Sequence, residues 1–123
     1  KGIRAIAFSV DMEEDYAVTQ AYWSEVTREL LNKDITSHEI WNVNFPGCSL
    51  EDYKGIQWDT VPAKTQYFLD HYDAEEISED CRRLTLAGIP ITEAPAGTDI
   101  SALMDGYIAV SKIQSTIYKT SDL

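Results

Sequence analysis

Residues 2–10 read Gly-Ile-Arg-Ala-Ile-Ala-Phe-Ser-Val, and this stretch decides the fold class. Ile3, Ala5 and Ala7 alternate with Ile6, Phe8 and Val10, so both faces of an extended chain are apolar, and only Arg4 and Ser9 are polar. A strand apolar on both faces is expected in a parallel sheet that helices cover on two sides. Downstream, Asp11 to Asp15 forms an acidic turn. After it, Ala17, Val18, Ala21, Tyr22, Val26, Leu30 and Leu31 recur at spacings of three and four. That spacing predicts one amphipathic helix from about Tyr16 to Asn32, with the acidic turn at its positive end. Ile40 to Phe45 predicts a second short strand, closed by Pro46 and Gly47. Strand, helix and strand within this distance is the βαβ pattern, normally parallel and right-handed.

Beyond it the periodicity changes. Gly55 to Val61 and Thr65 to Tyr72 are rich in aromatic and β-branched residues, and Leu84 to Ile91 alternates around Gly88 and Pro90, which predicts antiparallel hairpin material. Asp73 to Arg83 has good helix formers but one strongly apolar residue, Ile77, and is expected to be a loop or short helical turn at a hairpin tip. Thr98 offers an N-cap, Asp99 to Asp105 a two-turn helix with Ile100, Leu103 and Met104 inward, and Gly106 its stop. Tyr107 to Ile113 reads as a final strand that could reach Tyr118. No internal repeat or low-complexity segment is present.

A chain of 123 residues has room for one domain with a core, and the expected unit is residues 1–123 as a single α/β domain. It starts at Lys1 and enters an apolar strand at once, so it is read as a portion of a larger folding unit. Ten Lys and Arg against 21 Asp and Glu give a net charge of −11, which disfavours nucleic-acid polymers and anionic membrane surfaces as partners. No apolar run reaches the roughly 18 residues of a membrane-spanning helix. Cys48 and Cys81 carry no zinc-type spacing, and a reduced, cytoplasmic setting is the expectation.

Few side chains suggest chemistry. Asp11, Glu13, Glu14 and Asp15 are the densest carboxylate cluster; they read as a solvated helix start, with a hard-cation site as the competing reading. His38 and His71 are unframed by acids or cysteines and read as surface or hairpin histidines. Ser9, Ser24, Ser49 and Ser111 lie in no nucleophile elbow or phosphate loop, so no catalytic and no metal-ligating residue is assigned. Asn42 and Asn44 alternate with Trp41, Val43 and Phe45, so two amides share one face of a short strand. They either fasten neighbouring loops or, with Ser9, stand next to a site at a strand's carboxyl end.

Three segments together resemble a known family: GIRAIAFS at residues 2–9, WNVNFP at 41–46 followed by YKGI at 53–56, and GTDISALMDGYIAVS at 97–111. Their order and approximate spacing are similar to the second half of SurE-like survival proteins, where the last segment reads GTDxxAvxxGYvSvTPL. Thr98, Asp99, Gly106 and Tyr107 match that motif, whereas Ser111, Lys112 and Ile113 depart from the usual SxTPL. The resemblance implies a three-layer, Rossmann-like α/β sheet in the parent protein, of which this is the C-terminal portion. It further implies a β-hairpin arm over about residues 57–95, used for homo-oligomer contacts. The implied parent activity is hydrolysis of nucleoside 5′- and 3′-monophosphates with a divalent metal, Mg or Mn. The family's metal site depends on an Asn-Asp-Asp-Gly motif that this sequence lacks, so this chain is expected to supply scaffold and contacts and to hold no metal fully by itself. Two other readings stand beside it: a non-catalytic binding or assembly module of the same fold, and an unrelated acidic α/β domain with a metal site at Asp11 to Asp15.

Overall fold

The computed structural model describes residues 3–11 and 15–114. β1 (Ile6–Val10) leads to α1 (Ala17–Leu31) and back to β2 (Glu39–Phe45), which lies parallel to β1 with Ile6 opposite Trp41 and Val10 opposite Phe45. β3 (Gly55–Gln57) follows. Four short strands come next: β4 (Phe68–Leu69), β5 (Tyr72–Ser78), β6 (Cys81–Leu86) and β7 (Ile89–Pro90). α2 (Asp99–Met104) and β8 (Tyr107–Gln114) complete the described elements. The main sheet runs β1-β2-β8-β3, with β8 antiparallel to β2 and parallel to β3. The fold is a mixed α/β sheet.

Register explains which side chains form the core. Trp41, Val43 and Phe45 of β2 stand on the same face as Ile108 and Val110 of β8, and Val18, Val26 and Leu30 of α1 cover them. Ile6 and Val10 of β1 join this face, and Phe8 stacks on Phe45 at 6.0 Å between ring centroids. The opposite face carries Ala7, Asn42 and Ser111 in one row and Ser9, Asn44 and Ala109 in the next. β1 is therefore not buried on both faces as its composition suggests. It is a sheet edge paired only with β2 among the described residues, and Ala7 and Ser9 are exposed while Phe8 keeps 45% of its surface accessible. An extended chain with apolar residues on both faces signals burial only where layers exist on both sides.

α2 starts as its residues dictate. The Thr98 hydroxyl oxygen accepts the Ser101 N–H at 3.3 Å, and the Thr98 hydroxyl donates to the Pro95 carbonyl at 2.6 Å. Gly106 follows at φ +87, the left-handed conformation that ends a helix. Ile100 and Ala102 are the buried residues of α2, and Met104, expected inward, is exposed, because six residues present only a narrow stripe to the sheet.

Two further differences come from strand pairing. Gly55–Gln57, read as hairpin material, belongs to the main sheet through β8. Asp73 to Arg83, read as loop or helical turn, is paired strand: β5 and β6 form an antiparallel ribbon with Glu75 opposite Arg83 and Glu76 opposite Arg82. Ion pairs at 3.3 Å and 3.0 Å lie across those positions. The helix formers of this stretch are overridden because each strand's neighbours lie on the other strand. Apolar Tyr72, Leu84 and Leu86 remain exposed on the ribbon.

Candidate functional site

β1 and β2 are parallel, so their carboxyl ends lie side by side, the position at which open α/β sheets bind ligands. There the chain leaves β1 through Asp11, whose N–H donates to the Phe45 carbonyl at 3.0 Å, and leaves β2 through buried Pro46 and Gly47. An open cleft of about 730 Å³ occupies this end of the sheet, and its wall includes Asp11, Glu51, Asp52, Lys54, Tyr67 and Asp105. Four carboxylates against one ammonium give the cleft a negative field. Tyr67 reaches it from the root of the ribbon, and its hydroxyl donates to Asp11 Oδ2 at 2.9 Å. No sequence signal pairs these two residues, because 56 positions separate them and neither sits in a motif.

The asparagines lie one layer away, on the face opposite α1. Ser9 Oγ–H donates to Asn44 Oδ1 across the β1–β2 pair, so this amide ties the two strands together. Asn42 stands opposite Ser111, which is itself buried and shares a hydrogen bond of 2.8 Å with the Thr60 hydroxyl. Thr60 also donates to the Val110 carbonyl at 3.0 Å, and its N–H reaches the same oxygen at 3.1 Å, which extends the sheet edge past β3. Ser9, Asn42 and Asn44 are thus brought together on one face, half-buried or exposed, and not into the cleft.

At the other end of the motif, Asp99 Oδ1 accepts the Ala63 N–H at 2.8 Å and the Ile100 N–H at 2.8 Å. That carboxylate joins the start of α2 to the segment leading into the ribbon. Half-buried Tyr107 opens β8.

The remaining polar candidates point elsewhere. Asp15 Oδ1 accepts the Ala17 N–H at 3.0 Å and so serves the start of α1, while Glu13 and Glu14 lie outside the described residues. His71 pairs with Asp73 on the exposed ribbon, and His38 is exposed. Cys48 is half-buried and Cys81 exposed. Among the described residues no three His, Cys, Asp or Glu side chains are placed to share a metal ion. Likewise, no helix is long and apolar enough to cross a membrane.

Tyr53, on the loop beneath the cleft, packs on Tyr22 of α1 at 4.5 Å between centroids. Burial pushes its phenol up to about 12, with Tyr22, Glu25 and Cys48 adding to the rise. A phenol whose pKa is higher folded than unfolded favours the fold below the unfolded value and loses that contribution as pH climbs through the folded one. Stability is therefore expected to fall between the ordinary phenol value of 10.0 and about 12, and Tyr53→Phe to flatten that fall. Urea unfolding across this range, with phenolate absorbance followed in parallel, measures both.

Residues 1–67 match the family model described as Survival protein SurE. The 5'/3'-nucleotidase SurE of Serratia proteamaculans is 28% identical over 130 residues, which cover 99% of this chain and 49% of the relative. The 5'-nucleotidase SurE of Actinobacillus succinogenes is 28% identical over 113 residues, 92% of this chain and 46% of that protein. The crystal structure of the SurE protein from Aquifex aeolicus agrees with a TM-score of 0.71 at 24% identity, over 98% of this chain and 50% of that one, which shows the shared fold. The chain spans about half the length of these relatives. A family model that takes in the strand-helix-strand unit and runs on to Tyr67 covers more than half of the 123 residues, and the chain belongs to the SurE survival-protein family.

Proposed function

We propose that this chain is the scaffold and arm of a SurE-type nucleotidase, a phosphoric monoester hydrolase acting on nucleoside 5′- and 3′-monophosphates. The observation that carries the reading is the family match combined with relatives named as 5'- and 5'/3'-nucleotidases. Divalent-metal dependence, with Mg or Mn, enters as part of the family resemblance. The metal's ligands are assigned to the part of such proteins that this chain does not span, where the resemblance places the Asn-Asp-Asp-Gly motif. This chain contributes the sheet, the covering helix α1 and the loops at the carboxyl ends of β1 and β2.

The ribbon at residues 68–90 is assigned to homo-oligomer contacts. Exposed Leu69, Tyr72, Leu84, Leu86 and Ile89 support this, since apolar side chains clustered on a protruding element favour an interface over water. A chain with only two cysteines, far from a disulfide-dense pattern, supports a reduced, cytoplasmic setting. The same exposed apolar side chains favour one second reading, a non-catalytic assembly module of the same fold.

Phosphate release from nucleoside 5′- and 3′-monophosphates with Mg²⁺ or Mn²⁺ separates these readings. Residues 1–123 alone are expected to stay at background, and the same residues joined to the first half of a SurE relative are expected to turn over. Turnover by residues 1–123 alone that is lost in Asp11→Asn contradicts the scaffold assignment. A joined protein that folds and assembles without turnover supports the assembly module.

A further inference from the structure

The ribbon formed by β4 to β7 meets the sheet at a narrow root. β4 and β7 pair through Phe68–Pro90 and Leu69–Ile89, and the Ile91 N–H donates to the Tyr67 carbonyl at 3.0 Å, so the two root segments are joined backbone to backbone. Phe68 packs edge-on against the Tyr67 ring at 4.7 Å, which restrains the direction in which Tyr67 points. From this root the Tyr67 hydroxyl crosses to Asp11, the first residue after β1, and both residues line the same cleft as Ile91 and Thr92. The connecting segments are stapled separately at their far ends, where Val61 N–H donates to Gly97 O at 3.1 Å and Ala63 N–H to Asp99. Those staples hold the connections to α2 but leave the tilt of the root over the sheet to contacts nearer the cleft.

We propose that the Tyr67–Asp11 hydrogen bond is a latch that seats the root of the ribbon over the carboxyl end of β1 and thereby sets how wide the cleft stands. With the bond made, the phenol and the carboxylate close one side of the cleft. With it broken, the root loses one of the contacts that seat it, and cleft and ribbon loosen together. The latch couples two places the chain keeps apart, the strand ends where a ligand would sit and the exposed apolar ribbon. Tyr67 and Asp11 act here as positioning residues. The inference concerns the mobility of the root and stands whether or not the protein is a nucleotidase.

Hydrogen exchange on the intact protein tests it in Tyr67→Phe, which removes one oxygen and keeps the ring, and in Asp11→Ala, which removes the accepting carboxylate. Exchange at Phe68, Leu69, Ile89 and Ile91 is expected to rise about tenfold, the scale of a lost charge-assisted hydrogen bond. Amides of the β5–β6 ribbon and of β2 and β8 are expected to keep their rates. The two effects should be less than additive in the double variant, because both changes remove the same bond. Unchanged root exchange, a uniform rise through the core, or additive effects in the double variant would each overturn the latch.

Discussion

Gly106→Ala is expected to lower the unfolding free energy by about 3 kcal/mol, the sum of a left-handed backbone penalty and a steric clash. Gly106 sits at φ +87, and a Cβ there would stand 2.7 Å from the Asp52 carbonyl oxygen. That oxygen cannot retreat cheaply. The Lys54 N–H donates to the Gly106 carbonyl at 3.0 Å, and the N–H groups of Asp52 and Tyr53 both donate to Ser49 O, at 3.2 Å and 3.1 Å. Gly97 provides the control, since it shares a positive φ of +83 but has no atom within 4 Å of the added carbon. Gly97→Ala should therefore lose only the conformational part, about 1 kcal/mol. Equal losses in the two variants, measured by urea unfolding, would mean that the contact between the α2–β8 turn and the loop before β3 is loose.

Phe45→Ala is expected to cost about 4 kcal/mol, within the range for deleting a buried aromatic ring. Phe45 is 1% exposed, ends β2 within the core, and offers its carbonyl to Asp11 N–H at the mouth of the cleft. A void at this position removes support from α1 and from the strand end that carries the cleft wall. Phe8, its stacking partner across the β1–β2 pair, is 45% exposed and should lose only about 1–2 kcal/mol on the same change. Unfolding midpoints at constant denaturant slope separate the two. A Phe8→Ala loss as large as that of Phe45→Ala would show that β1 is covered in the intact protein by a further layer.

The difference between these phenylalanines shows what sequence can and cannot convey. Local patterning determined the elements that depend on near neighbours. Spacings of three and four placed α1, alternation placed β2, and the Thr98 and Gly106 chemistry placed both ends of α2, because helix stripes, caps and left-handed turns are set within a few residues. Family membership was legible in the same way, through the short segments at residues 2–9, 41–46 and 97–111.

Tertiary structure alone decided what rests on distant partners. β1 has the composition of a central strand and lies at an edge among the described residues, since burial depends on which layers meet it and not on its own side chains. Residues 73–83 carry helix formers yet pair as ribbon, because the arginines that neutralise Glu75 and Glu76 lie on the opposing strand. Ser9 and Asn44 become one hydrogen-bonded unit only through parallel register. Tyr67 meets Asp11 only because the root of the ribbon returns to the carboxyl end of β1, a long-range closure that no local periodicity encodes.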